Sequence, residues 1–157
     1  MSSQRAANVQ GGAKESSALE PKPGFNLRRA LRVGTWNVLT LSDDNRLPVL
    51  SAELSRLGVE VAALSEVRRP GSGSISEGGY TFYWSGSPGG ERCRGVAVAV
   101  STRLAASIVR VAAVDERIMV ARLRHTLGFL SLVAVYAPTE VMDLKENILH
   151  QTGFGGL

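Results

Sequence analysis

The sequence predicts an α/β sandwich, opened by a β-α-β unit and continued by closely spaced, mainly antiparallel strands. Three observations carry this. Val59 to Val67, VEVAALSEV, is a near-continuous apolar run with the length of a buried strand. Ahead of it Leu47, Leu50, Leu54 and Leu57 recur at three- and four-residue steps between Pro48 and Gly58, which predicts an amphipathic helix from Leu47 to Leu57. Beyond Tyr80, short strand-like runs follow one another with no helical period between them.

The first strand is predicted in Arg32 to Leu39, RVGTWNVL, and ends at the turn cluster Ser42, Asp43, Asp44, Asn45. Strand, helix and VEVAALSEV make a β-α-β unit, so the two strands should be parallel and bring Asn37 and Glu66 to one sheet edge. Arg68 to Gly79 is rich in Gly and Ser and reads as a mobile loop; Tyr80 to Trp84 reads as an aromatic strand. A second loop, Ser85 to Arg94, precedes the small apolar strand Gly95 to Ser101. Ser107 to Val111, Arg117 to Arg124 and Gly128 to Tyr136 complete an antiparallel meander, with His125, Thr126 and Leu127 turning between the last two. Pro138 ends the pairing and leaves Tyr136 at a strand end, and Glu140 to Leu157 holds a helical turn before fraying into GFGGL.

Composition bounds the rest. A chain of 157 residues with 44% hydrophobic and 20% charged content can build one core, which excludes disorder throughout. The net charge of +4 sits in residues 1–32, where six Lys and Arg face Glu15 and Glu20; the remaining twelve basic and twelve acidic residues cancel. Residues 1–31 therefore read as a disordered basic leader. Its cluster Asn26 to Arg32 suits nuclear import, phosphate contact or a solvated lead-in alike. Cys93 is the single cysteine, so an internal disulfide is excluded and an intracellular site, nuclear or cytoplasmic, is expected. Its flanking Arg92 and Arg94 fit an acidified thiol or an incidental loop residue. No apolar run reaches the roughly 18 residues of a spanning helix, so no membrane role is expected.

Glu66 closes its strand and is followed by Arg68, Arg69, Pro70 and Gly71, where α/β enzymes place reactive groups. A solvated loop acid beside two arginines has the same sequence, and the stretch alone leaves both readings open. Company raises its interest: Asn37, Glu66 and Tyr136 put an amide, a carboxylate and a phenol at three strand ends.

Together with the TWN, ALSEV, RGVAV, ERIMVARL and VYAPT segments, in that order and spacing, this resembles the endonuclease/exonuclease/phosphatase superfamily. Within it the pattern is most similar to the endonuclease domain of LINE-type retrotransposons, from about Arg32 to Lys145. The resemblance implies Mg²⁺-dependent phosphodiester hydrolysis on DNA or another nucleic acid. It makes Asn37 the first-strand asparagine that contacts the reacting phosphate, Glu66 the metal-binding acid, and Tyr136 the tyrosine of a Y-x-P segment near the scissile phosphate. Mg²⁺ keeps several waters and needs few carboxylates when phosphate completes its shell. Ser65 stands where the family usually has Gln, as in many LINE-like members.

The family also uses a histidine held by an acid and a Gly-Asp-x-Asn segment, both further downstream. This sequence contains neither Ser-Asp-His nor Gly-Asp-x-Asn, and its only histidines are His125, in a predicted turn, and His150. The expectation is residues 32–145 as the first half of such a domain, truncated and followed by a divergent tail, 146–157. Weak Mg²⁺ binding, little or no turnover and self-association through uncovered strands follow from that expectation. A noncatalytic nucleic-acid- or protein-binding remnant is the competing reading.

Overall fold

The computed structural model describes residues 24–26, 30–90, 92 and 94–137. The expectations for most of the leader, Cys93, Pro138, His150 and the 146–157 tail fall outside those residues. Within them the order is β1 (Val33–Asn37), a 3₁₀ turn (Asp44–Arg46), α1 (Leu47–Arg56), β2 (Val61–Ser65), β3 (Ser72–Glu77), β4 (Tyr80–Ser85) and β5 (Val96–Ser101). A second 3₁₀ segment (Thr102–Ser107), β6 (Ile108–Ala113), β7 (Ile118–His125) and β8 (Gly128–Val135) follow. The strands form two sheets, ordered β1-β2-β5-β4-β3 and β6-β7-β8. Among the named strands only β1 and β2 pair in parallel, from Val33 opposite Val61 to Asn37 opposite Ser65; the other strand pairs are antiparallel.

The expected β-α-β opening and mainly antiparallel continuation agree with this arrangement, and the structure adds which strands share a sheet. β5 turns back between β2 and β4, and the last three strands leave to build their own sheet. Side-chain alternation explains the division. In β5, Ala97 and Ala99 face the core under α1, while Val96, Val98 and Val100 face the second sheet, where Met119, Ala121, Leu123 and Ala134 meet them. The central strand is thus buried on both faces, and three layers result: α1, five strands, three strands.

Large and small residues interlock beneath α1. Phe82 and Trp84 of β4 lie opposite Ala99 and Ala97 of β5; Leu47 and Leu54 of α1 close the same cluster. Tyr80 reaches across it, its hydroxyl donating to the Val59 carbonyl at 2.6 Å, and burial raises the phenol pKa. Tyr80→Phe is expected to lower unfolding free energy by about 1–2 kcal/mol in urea titrations, because the carbonyl loses its buried partner.

The segment read as a mobile loop, Arg68 to Gly79, instead contains β3. Its residues pair with β4 from Ser72 opposite Ser85 to Glu77 opposite Tyr80. The connection is the two-residue turn Gly78-Gly79, with φ of +56° and +84°, the left-handed geometry that closes tight hairpins. Gly78 is required a second way: a Cβ there would lie 2.4 Å from Cβ of Ser51 on α1. Ser51 Oγ donates to the Glu77 carbonyl at 3.0 Å, which ties helix to hairpin.

Candidate phosphate-facing site

Parallel pairing of β1 and β2 delivers Asn37 and Glu66 together. Asn37 ends β1 opposite Ser65, and the ladder continues one step as Val38 N donates to the Ser65 carbonyl at 3.0 Å. Glu66 lies just past β2 rather than closing it, with φ of +57°. Buried Val67 then anchors the chain, donating through its N–H to the Gly95 carbonyl at 3.0 Å, and Arg68 again has a positive φ, +55°. Leu39, past β1, is the third such residue at +60°. Left-handed backbone at non-glycine residues costs roughly 1–2 kcal/mol each and concentrates where side chains must be aimed.

The aim here is specific. Asn37 Nδ2 donates to Glu66 Oε1 at 2.7 Å, while Asn37 Oδ1 accepts from Leu39 N at 3.0 Å, which fixes the amide's orientation. Glu66 Oε2 accepts from Arg68 at 3.2 Å. The Glu66 side chain is 18% exposed, so its carboxylate is held at the surface rather than enclosed. Arg68 Nε is buried without a hydrogen-bond partner among the described residues.

Glu66 has two donors on an anion with about four lone-pair positions, so it fits Mg²⁺ as a single ligand with water and phosphate supplying the rest. It does not form a cage: among the described residues no three His, Cys, Asp or Glu side chains converge for a metal ion. Tyr136 is placed by the other sheet. It follows β8 in the second sheet, its N–H donating to the Arg117 carbonyl at 2.9 Å and its ring half-buried against the inter-sheet core. The hydrogen-bonded network of Asn37 and Glu66 does not include it among the described residues. His125, expected in the turn, instead ends β7 opposite Gly128, and its Nδ1 accepts from Leu127 N at 3.0 Å.

Arg69 is the residue the sequence reading passed over. It leaves the Glu66 loop, donates from Nε to the Leu41 carbonyl at 2.5 Å, pairs with Asp44 and lies 4.7 Å over the Trp84 ring. It thereby ties the loops after β1 and β2 to β4. Two adjacent arginines after an acid were the available signal, but their partners lie 25 residues or more upstream or 15 downstream.

An α-helix, a five-stranded mixed sheet and a second, antiparallel sheet make up an α/β fold of the AP-endonuclease type. The crystal structure of AP endonuclease LMAP from Leishmania major has this fold, with a TM-score of 0.56 at 16% identity over 77% of this chain and 45% of that one. In sequence, the chain is 27% identical over 124 residues to craniofacial development protein 2 from Bos taurus and from Tragulus javanicus. Each match takes in 75% of this chain, which spans only 21% of those relatives. No protein-family model matches the chain.

Proposed function

We propose that the chain carries one wall of an endonuclease/exonuclease/phosphatase-type phosphodiesterase site, inherited from a LINE-type endonuclease, and that as these 157 residues it does not turn over. The observation that supports the reading is the 2.7 Å hydrogen bond from Asn37 to Glu66 across two parallel strand ends, with Glu66 in a left-handed backbone state. Glu66 would hold Mg²⁺, which when bound offsets charge on a phosphate. Asn37 orients that carboxylate and offers an amide to the phosphate; Tyr136 is the family's third residue by sequence.

Among the described residues no histidine joins the hydrogen-bonded network of Asn37 and Glu66. A site without a general base works about 10²- to 10⁴-fold more slowly. Purified chain incubated with supercoiled or abasic plasmid and Mg²⁺ or Mn²⁺ is therefore expected to leave the DNA intact. Cleavage abolished by Glu66→Ala would overturn the inactive reading and establish an active site; cleavage that survives this substitution would belong to a contaminant. The competing reading, a noncatalytic nucleic-acid binder, is favoured by a separate surface.

A further inference from the structure

The outer face of the second sheet has a charge pattern that the phosphodiesterase reading does not use. Alternation places Met119, Ala121, Leu123 and Ala134 inward. The intervening positions, Ile118, Val120, Arg122 and Arg124 of β7 with Phe129, Ser131, Val133 and Val135 of β8, therefore face out. Arg110 of β6 is the Cα partner of Arg122, and Arg124 is the partner of Phe129. Arg122 and Arg124 lie 4.5 and 5.5 Å from the Phe129 ring centroid.

Two features of this face call for an anion. Arg110 and Arg122 are like charges directly across a strand pair, an arrangement that destabilises a sheet. Nothing in the sheet offsets them: the three strands contain no Asp or Glu, and none of these arginines forms an ion pair among the described residues. Apart from Ser131, the rest of the face on β8 is apolar, with Phe129 49%, Val133 52% and Val135 60% exposed.

We propose that this face binds single-stranded nucleic acid. Cα atoms two residues apart on a strand, as in Arg122 and Arg124, are separated by roughly 7 Å, and neighbouring strands by about 5 Å, so the guanidinium groups track a phosphate backbone. Bases turned toward the sheet stack on Phe129 and the arginine planes and cover the valines, the combination that sequence-tolerant single-strand sites use. A duplex presents only its phosphates here and gives the apolar half no partner, which favours the single strand. These residues lie on a different sheet from Glu66 and Asn37, so binding does not depend on phosphoryl chemistry.

The test is fluorescence anisotropy of the full chain with a labelled oligothymidylate of about twenty nucleotides, in EDTA, across a salt series. Arg122→Ser/Arg124→Ser is expected to weaken binding at least tenfold at low salt and to reduce the salt slope by about 1.4, since each phosphate contact to a single strand contributes about 0.7. Arg122→Lys/Arg124→Lys should keep the slope. Phe129→Leu should weaken binding about fivefold or more with the slope unchanged, because it removes stacking and no charge. Far-ultraviolet circular dichroism of each variant separates these effects from misfolding. Affinity unchanged in all variants would place binding on the basic leader, and overturn the proposal. So would equal binding of a blunt duplex, or equal competition by polyphosphate at matched charge.

Discussion

Phe82→Ala is expected to lower the unfolding free energy by about 3–5 kcal/mol, the range for removing a fully buried aromatic side chain. Phe82 is 2% exposed and stands in the middle of the layer between α1 and the five-stranded sheet. Its strand neighbours in register are Ile75 and Ala99, and its ring is 6.4 Å from that of Tyr80. Ala99 cannot expand into the space, and α1 is held off by Leu47 and Leu54, so the cavity stays open. Equilibrium urea unfolding checks the value. A loss under about 1 kcal/mol would mean that helix and sheet close over the gap, and that the helix is not fixed by this packing.

Arg69→Ala should cost about 2–4 kcal/mol, combining a charged hydrogen bond of about 1.5–3 with a cation-π contact of about 0.5–1. The side chain is 12% exposed, so solvent screens these contacts little. The Leu41 carbonyl loses its guanidinium donor, and the loop that follows Asn37 loses its tie to the loop that carries Glu66. Arg69→Lys should recover only part of the loss, since one ammonium cannot span Leu41, Asp44 and the Trp84 face together. Thermal unfolding of the two variants reads the difference, and amide exchange of Leu39 to Asn45 reports whether the loop opens. Equal stability of Arg69→Ala and the parent chain would count against the tie.

Much of the first sheet was legible because its signals are local. The leucine period with Pro48 and Gly58 marked α1 to within a residue, and the apolar run 59–67 marked β2. With β1 ahead of the helix, parallel pairing put Asn37 beside Glu66. β3 was hidden because Ser72 to Glu77 has one apolar side chain, Ile75, and gains its order from pairing with β4 and from the Gly78-Gly79 turn. A serine-glycine run with such a partner is a strand; without one it reads as a loop.

Which strands share each sheet was beyond the sequence for a different reason. The runs 80–84, 95–101, 107–111, 117–124 and 128–136 all alternate or are apolar, and period 2 says which residues share a face without saying which strand lies alongside. Packing decides that: β5 needs apolar cover on both faces, and β7 and β8 provide it for Val96, Val98 and Val100.

The sequence by itself determined an α/β chain with a parallel β-α-β start and an amide and a carboxylate at one strand-end edge, since hydrophobic period, helix boundaries and strand direction are local properties. The tertiary structure alone decided the two-sheet order, the left-handed turn that aims Glu66 at Asn37, the Arg69 tie and the acid-free arginine face around Phe129. Each of these depends on groups distant in sequence and adjacent in space, and such adjacency exists only once the chain has packed.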